Sequence, residues 1–216
     1  MDGVLYDSMP HHVRAWGETL SAWGLNAEPE DFYMMEGRTG ASTIDIIMNR
    51  IWGRSATPEE KETIYSQKAQ RFVELNRQTN LIPGALDVLE KVKRLGLRRM
   101  VVTGSGQPTL FENLDTHFPG FFESDLMVTA FDVQHGKPHP EPYLMGLKKA
   151  KVEPQEALVI ENAPLGIESA VAAGIFTIAV NTGPLPDEIL LKAGANALFP
   201  SMKALAKSDI WERMCS

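Results

Sequence analysis

From Ile82 onward, the chain alternates between segments with apolar residues at helical spacing and short, continuous apolar runs. The spacing predicts helices over 83–96, 108–118, 143–151 and 164–174, and it predicts strands within 98–106, 125–130, 157–163 and 176–181. Strands that alternate with helices in this way form a parallel sheet with helices on both faces. The sequence therefore predicts an α/β fold.

Residues 9–80 show a different pattern, because helical spacing continues there without a convincing strand. Segments with apolar residues at helical spacing lie at 11–24, 41–53 and 58–78. We expect a small all-helical cap domain over 9–80, inserted into an α/β core made of 1–8 and 81–216. Ligands of open α/β sheets bind beyond the carboxyl ends of the strands, so the cap is placed to act as a lid.

Composition narrows the class of protein. The 216 residues suffice for one substantial core, and 28 acidic against 21 basic residues give a formal charge of −7, which disfavours nonspecific binding to nucleic acid or anionic membranes. One cysteine, Cys215, cannot form an internal disulfide, and the sequence shows neither a membrane span nor a signal peptide. We therefore expect a cytoplasmic monomer without nucleic-acid or membrane partners.

Polar side chains stand at four predicted strand ends. They are Asp2 and Asp7 near the first apolar run, Thr103 and Ser105 after the second, Lys137 in a turn-rich segment, and Glu161 with Asn162 after the fourth. Carboxylates can hold Mg²⁺ through oxygen, while lysine and hydroxyl groups can receive phosphate oxygens. This mixture predicts a site for phosphoryl transfer to or from a small phosphorylated substrate.

Four stretches with these residues, DGVLYDS, VVTGS, GKPHPEPY and VIENAPLGIESAVAAG, resemble the motifs of the haloacid dehalogenase superfamily. They occur in the family's order and span nearly the whole chain, which is far more specific than any one motif. The helical insert after the first motif is similar to the β-phosphoglucomutase group and its phosphatase relatives. The resemblance implies a Rossmann-like core, Mg²⁺ as cofactor and an aspartyl-phosphate intermediate.

The first motif of the family is Asp-x-Asp-Gly, in which the first aspartate attacks phosphorus and the second serves as general acid and base. Asp2 matches the second aspartate, so the resemblance places the nucleophile immediately before Met1. The apolar, strand-like run from Val4 to Tyr6 follows an Asp-Gly pair, so a turn rich in carboxylates stands where a buried strand should only just have begun. We expect a truncated amino terminus, and a pseudoenzyme is the alternative. Truncation is favoured because the other motif residues keep suitable chemistry.

The remaining motif roles follow from the resemblance residue by residue. Thr103 matches the phosphate-binding hydroxyl, with Gly104 and Ser105 as further donors, although an ordinary strand-to-helix turn would look similar. Lys137 matches the lysine that neutralises the nucleophile and the phosphate. Glu161 and Asn162 match the metal-binding motif, where the family more often has aspartate at the second position, so one formal charge is lost.

The segment MMEGRTG lies in the predicted cap, where the family places a specificity loop. Glu36 either faces solvent or reaches the metal when the cap closes, as the resemblance to a pyrophosphatase-like branch implies. Gly40 stands where the mutases carry a phosphate-clamping arginine, and Arg38 is displaced from that position by two residues. His12 and Lys68 resemble cap residues that approach the general acid or the substrate, and surface positions are their alternative.

These residues predict a Mg²⁺-dependent phosphohydrolase, with inorganic pyrophosphate ahead of sugar phosphates. The alternatives are a β-phosphoglucomutase-type phosphomutase and a catalytically inactive module that binds a phosphorylated metabolite. Three tryptophans, Trp16, Trp23 and Trp52, are expected in the core of the cap. His117 and His139 are expected to be structural or solvated, since no Cys-His spacing suggests zinc.

Overall fold

The structure is a computed structural model that describes residues 1–77, 80–106 and 110–214. Cys215 and the start of the helix predicted over 108–118 lie outside the described residues. Within the described part, no helix is both long enough and apolar enough to cross a membrane.

The described residues of the segment predicted as a cap form four helices and no strand. Its helices are α1 (Met9–Ala22), α2 (Pro29–Met34), α3 (Gly40–Trp52) and α4 (Pro58–Leu75). Local capping explains several boundaries: the Thr39 hydroxyl accepts from Ser42 N, and Thr57 and Glu60 form a reciprocal capping box at the start of α4.

Helix α2 was not predicted, because its six residues are too few to display a helical period. It is specified by its ends, with Pro29 in the first turn and a capping box between Glu28 and Asp31. The loop that carries Glu36 therefore lies between the second and third cap helices, α2 and α3, and not between the first two.

The rest of the chain alternates strands and helices, as predicted. The elements are α5 (Ala85–Arg94), β1 (Val101–Val102), α6 (Leu110–His117), β2 (Met127–Val128), α7 (Glu141–Ala150), a 3₁₀ turn (Pro154–Glu156), β3 (Leu158–Glu161), α8 (Pro164–Ala172), β4 (Phe176–Val180), α9 (Asp187–Lys192), β5 (Ala197–Phe199), α10 (Met202–Lys207) and α11 (Ile210–Met214). The sequence reading stopped short of α9, β5, α10 and α11, which follow the last predicted strand.

The strands form two parallel sheets among the described residues. One pairs β1 with β2, and the other has the order β3-β4-β5. Both sheets contribute to one hydrophobic core, in which Val101 and Met127 of the first sheet join Ile178 and Val180 of the second. The predicted α/β class with parallel strands is confirmed, although the strands do not form a single sheet.

The run Val4–Tyr6 is a turn and not the expected strand. Gly3 adopts a positive φ of 66°, and the amides of Leu5 and Tyr6 both point back to the carbonyl oxygen of Met1, at 2.7 and 3.2 Å. The three side chains are nevertheless buried. Their apolar character reflects burial in a turn, which a short hydrophobic run cannot distinguish from a strand.

The backbone segments by which the chain enters and leaves the cap pair with each other in antiparallel direction at Tyr6 and Leu81. Asp7 N donates to Asn80 O at 2.9 Å, and Ile82 N donates to Leu5 O at 2.9 Å. A hydrophobic cluster of the cap, from Trp16 to Ile64, contains only residues of the four cap helices and their connections. The cap helices thus have a hydrophobic cluster of their own. The domain boundaries at 8/9 and 80/81 stay a prediction.

The three tryptophans differ in burial. Trp16 is buried and Trp23 is half-buried against the cap cluster. Trp52 was expected in the core but is 41% exposed, so that expectation was wrong. It ends α3, where the helix has run past the cluster, and its ring lies 5.3 Å from the guanidinium carbon of Arg54 instead.

Candidate active site

All ten residues that the sequence singled out as site residues line one cleft between the cap and the strand ends. They are Asp2, His12, Glu36, Lys68, Thr103, Gly104, Ser105, Lys137, Glu161 and Asn162. The cleft encloses a cavity of about 100 Å³. Because these residues come from distant parts of the chain, the fold brings together what the motifs only implied.

Asp2 lies in a polar, buried corner of the cleft. Ser8 Oγ donates to Asp2 Oδ1 at 2.5 Å, and His12 Nε2 lies 3.4 Å from the same oxygen. Burial opposes ionisation, but the hydrogen bond and charge of His12, with the Ser8 hydroxyl, hold the pKa of Asp2 well below its usual range. Asp2 is therefore a carboxylate near neutral pH.

His12 connects Asp2 to Lys68 of the cap. Its Nδ1 atom lies 2.7 Å from Lys68 Nζ, and its ring stacks on Phe72 with centroids 3.9 Å apart. Burial and the Lys68 charge lower the pKa of His12, while burial lowers that of Lys68 to about 8. His12 and Lys68 thus line the cleft, as predicted, and surface positions are excluded for both.

Lys137 and Glu161 form a buried ion pair at the floor of the cleft. Lys137 Nζ donates to Glu161 Oε1 at 2.6 Å, and Tyr143 donates its hydroxyl to the same oxygen at 3.0 Å. Burial works against the charge of Glu161, yet Lys137 lowers its pKa to about 2. Glu161 therefore balances the charge of Lys137, and Lys137 lines the cavity.

The other oxygen of Glu161 binds the backbone that leads into helix α8. Glu161 Oε2 accepts from the backbone amides of Asn162 and Ala163, at 2.9 and 3.2 Å. Gly166 makes this possible, because a Cβ atom there would lie 2.0 Å from Glu161 Oε1. Both carboxylate oxygens of Glu161 therefore accept hydrogen bonds that fix its position beside Lys137, while its role as a metal ligand stays a prediction.

Asn162 instead turns its side chain into the cleft. Its Nδ2 atom donates to both carboxylate oxygens of Glu36, at 3.0 and 3.1 Å, and its buried Oδ1 atom has no hydrogen-bond partner among the described residues. Burial raises the pKa of Glu36 to about 8, with the Glu161 and Asp2 carboxylates acting in the same direction and the Asn162 bond opposing them. A solvent-facing Glu36 is thus excluded.

These observations fit a magnesium ion. An unpartnered buried amide oxygen on Asn162 faces a cleft that also holds the carboxylates of Asp2 and Glu36, and Mg²⁺ takes oxygen ligands of this kind. Burial is the main cause of the raised pKa of Glu36, and positive charge bound beside the carboxylate would lower that pKa.

The loop after β1 faces the cap loop at close range. Thr103 is buried, and its Oγ1 atom accepts from Ser105 N at 3.2 Å. A Cβ atom on Gly104 would lie 2.5 Å from the carbonyl oxygen of Gly37, so only glycine allows this approach. The cap is closed over the cavity in this conformation.

Arg38 lines the cleft despite its two-residue displacement from the mutase position. Its Nε atom is buried without a hydrogen-bond partner among the described residues, while its Nη1 atom donates to Ser42 Oγ at 3.3 Å. Gly40 itself is packed against Tyr65, whose Cδ2 atom would lie 2.1 Å from a Cβ there. A side chain at position 40 would have to displace that ring.

Sequence reasoning missed three residues that shape the site. Ser8 holds Asp2, Tyr143 holds Glu161, and Tyr65 lines the cleft beside Gly40. Ser8 and Tyr143 stand within the quoted motifs DGVLYDS and GKPHPEPY, so motif membership was an available signal. Tyr65 lies on an amphipathic helix, where no local pattern separates a cleft residue from a core residue.

Comparisons with known proteins agree with this geometry. A model of the family "Haloacid dehalogenase-like hydrolase" matches residues 1–180. Hexitol phosphatase A of Escherichia coli is 30% identical over 183 residues, which are 84% of this chain and 80% of the relative. A phosphorylated carbohydrates phosphatase of Thermotoga maritima is 30% identical over 200 residues, which are 92% of this chain and 90% of the relative.

A solved structure from Bacteroides vulgatus, provisionally described as a beta-phosphoglucomutase, is 53% identical. It superposes with a TM-score of 0.94 over 100% of this chain and 87% of that one. The resemblance stated from the motifs is confirmed, and the protein is an enzyme of the hydrolase class. The chain therefore belongs to the haloacid dehalogenase-like hydrolases, in their β-phosphoglucomutase-like branch.

Proposed function

We propose that the protein is a Mg²⁺-dependent phosphohydrolase that works through an aspartyl-phosphate, with inorganic pyrophosphate as preferred substrate and sugar phosphates next. In the first motif of the family, the attacking aspartate stands two positions before the general acid and base, which is Asp2 here. The contact between Glu36 and Asn162 across a small closed cavity carries the proposal.

The cleft offers a distinct role to each polar group around a phosphoryl group. The Thr103 hydroxyl and the backbone of Gly104 and Ser105 hold its oxygens, and Lys137 balances the charge of the attacking carboxylate and the phosphate. Glu161 orients Lys137 through the 2.6 Å ion pair. These groups position substrate and neutralise charge, which is most of what an enzyme supplies in phosphoryl transfer.

Asp2, Asn162 and Glu36 would hold the magnesium ion. When bound there, Mg²⁺ supplies positive charge that neutralises the nucleophile and the phosphate oxygens. Glu36 restores the negative charge that Asn162 lacks compared with aspartate. Because Glu36 belongs to the cap loop, cap closure and completion of the metal site are coupled in this proposal.

The state of Asp2 favours pyrophosphate over a sugar ester. A sugar leaves as a strongly basic alkoxide and needs a proton from an acid, whereas phosphate is a far weaker base and leaves with less assistance. The hydrogen bonds from Ser8 and His12 lower the pKa of Asp2 and keep it ionised, so Asp2 holds no proton for a departing alkoxide, whereas its carboxylate can still accept one from water when the aspartyl-phosphate is hydrolysed.

The size of the cavity supports the same order of substrates. About 100 Å³ remains beneath the closed cap, where Gly37 approaches Gly104. A compact polyanion suits this space, and the unpartnered Nε of Arg38 can meet a second phosphoryl group. The names of the Escherichia coli and Thermotoga maritima relatives, which describe carbohydrate phosphatases, support sugar phosphates as the next candidates.

A phosphomutase is the second candidate. It is favoured by Arg38, whose place in the cleft could serve the second phosphate of a sugar bisphosphate, and by the name of the Bacteroides vulgatus structure. Gly40 argues against it, because Tyr65 occupies the space that an arginine at that position would need.

The test compares the 216-residue chain with a chain extended by a short apolar run and an aspartate directly before Met1. We expect the extended chain to release phosphate from pyrophosphate with Mg²⁺, more slowly from hexose phosphates, and to convert no hexose 1-phosphate to 6-phosphate. The unextended chain should bind phosphate and Mg²⁺ without turnover. Equal turnover by both chains would overturn the role of Asp2, and isomerisation without net phosphate release would establish the mutase.

A further inference from the structure

A cluster of metal-binding side chains lies outside the cleft, on the loop that carries Lys137. His135 and His139 are exposed and Glu141 is half-buried, and one potential ligand atom of each lies within 4.8 Å of the others. None of the three lines the cavity. The phosphohydrolase mechanism uses none of them, and their spacing in the sequence, HGKPH followed by Glu141, is not a recognised zinc pattern.

The distances suit a four-coordinate metal ion. His135 Nδ1 lies 2.8 Å and His139 Nδ1 lies 3.9 Å from Glu141 Oε2. Ligand atoms about 2.0–2.2 Å from a tetrahedral ion stand roughly 3.3–3.6 Å apart, so small rotations of the two exposed rings satisfy all three contacts. The rings already face each other, with centroids 4.7 Å apart at 33°.

The carboxylate is held in place before any metal arrives. Glu141 Oε1 accepts from Gln134 N at 2.8 Å and Oε2 accepts from His135 N at 2.9 Å. Glu141 also begins helix α7, so its backbone is fixed by the helix. Ligands held by such outer contacts lose little freedom when an ion binds.

The nitrogen of His139 that faces Glu141 is in the state that a ligand requires. His139 Nδ1 accepts a hydrogen bond from Glu141 N at 3.2 Å, so it carries a lone pair and no proton, and an ion bound there would replace the Glu141 amide as the partner of that lone pair. His135 Nδ1 donates to the carboxylate, so this ring would bind an ion at Nδ1 in its other neutral tautomer, with the proton on Nε2.

We propose that His135, His139 and Glu141 bind a transition-metal dication, with Zn²⁺ as its first candidate, at a surface site separate from the magnesium site. Two imidazoles and one carboxylate select Zn²⁺ over Mg²⁺, because Mg²⁺ prefers oxygen ligands. Three protein ligands leave the fourth position to water.

The site would stiffen the loop that presents Lys137. His135 and His139 stand on either side of Lys137, and the carbonyl oxygen of His139 already accepts from Ser169 Oγ of α8 at 2.7 Å. An ion bridging the two rings closes the loop around Lys137 from the outside. The proposal does not depend on the reaction that the cleft performs.

The test is titration of the 216-residue protein with ZnCl₂ by calorimetry, in buffer with saturating Mg²⁺. We expect one Zn²⁺ per chain, and His135→Ala, His139→Ala and Glu141→Gln should each weaken binding at least about tenfold. His11→Ala is the matched control, since His11 is outside the cluster, and it should bind as wild type. Thermal unfolding checks that each variant is folded.

The five histidines give an independent readout. In ¹⁵N–¹H spectra of the imidazole rings, Zn²⁺ should shift the signals of His135 and His139 and leave His117 unchanged. The proposal is overturned by an absence of saturable binding, by wild-type affinity in both histidine variants, or by shifts at His12 alone, which would place the ion in the cleft.

Discussion

Asn162 and Glu36 are joined across 126 positions of the chain, with the amide of Asn162 donating to both carboxylate oxygens of Glu36 at 3.0 and 3.1 Å. An aspartate at position 162 could not make this contact, because two carboxylates would face each other. The amide therefore does two things: it ties the cap loop to the core, and it leaves Oδ1 free for a cation. Glu36 of the cap supplies the negative charge that the motif loses because Asn162 stands in place of aspartate.

Glu36→Ala tests whether the carboxylate of the cap completes the magnesium site. In the extended chain, we expect pyrophosphate hydrolysis to fall by about two orders of magnitude and the Mg²⁺ concentration for half-maximal rate to rise, because the closed cap no longer completes the ion's ligands. Hydrolysis of a hexose phosphate should change little, since a bulky sugar holds the cap away. Steady-state rates on both substrates across a Mg²⁺ titration measure this.

Glu36→Gln is the control for this experiment. It keeps the size of the side chain and one carbonyl oxygen that can accept from Asn162, but it removes the charge. A glutamine variant that loses as much as the alanine variant assigns the effect to charge. Unchanged pyrophosphate turnover and unchanged Mg²⁺ dependence in Glu36→Ala would leave Glu36 with a structural role only.

Asn162→Asp should change the response of stability to Mg²⁺. Without Mg²⁺, and above the raised pKa of Glu36 at about 8 where it is ionised, we expect a loss of about 1–3 kcal/mol in the free energy of unfolding, because a hydrogen bond is replaced by repulsion between two carboxylates. With Mg²⁺ the added charge should strengthen metal binding and return much of the loss. Denaturant unfolding in EDTA and in excess Mg²⁺ measures both effects, and Asn162→Ala should instead show a weakened Mg²⁺ response.

Lys137→Ala should cost more activity than Thr103→Ala in the extended chain. Lysine contributes a full charge beside several phosphate oxygens, whereas the Thr103 hydroxyl contributes one hydrogen bond, so we expect losses of about 10³-fold and about 10²-fold. Removing Lys137 also leaves Glu161 buried without its 2.6 Å partner, which should lower the free energy of unfolding by about 3–5 kcal/mol. Equal losses of kcat would contradict the ranking.

The sequence predicted elements whose signal is local and repeated. Alternating patterns located β1 to β4 and α5 to α8 because each of these elements buries apolar residues in a hydrophobic cluster. Helix α2 was not predicted because it is specified by capping and not by periodicity. The turn at Val4–Tyr6 was misread because burial makes turn and strand residues equally apolar.

The site was predictable as a set of residues but not as a set of contacts. The motifs and the family resemblance supplied ten of the residues that line the cleft. They could not show that both carboxylate oxygens of Glu161 accept hydrogen bonds, from Lys137, Tyr143 and the backbone before α8. Nor could they show that Arg38 lines the cleft although it is displaced from the mutase position. Those facts depend on the path of the cap loop and on side-chain directions, which spacing does not encode.

Lys68 is 6% exposed and lies between Trp16, Phe72 and His12. Burial lowers its pKa from 10.5 to about 8, so the unfolded chain binds more protons than the folded protein between these two values. The free energy of unfolding contributed by Lys68 must therefore rise as pH increases from about 8 to about 10.5. Lys68→Met removes this rise without shortening the side chain greatly. We expect the stability difference, variant minus wild type, to fall by about 3 kcal/mol between pH 7 and pH 11, while other titrating groups cancel. Denaturant unfolding of both proteins across this range measures the difference. Parallel stability curves would mean that Lys68 titrates normally and is not desolvated beside His12.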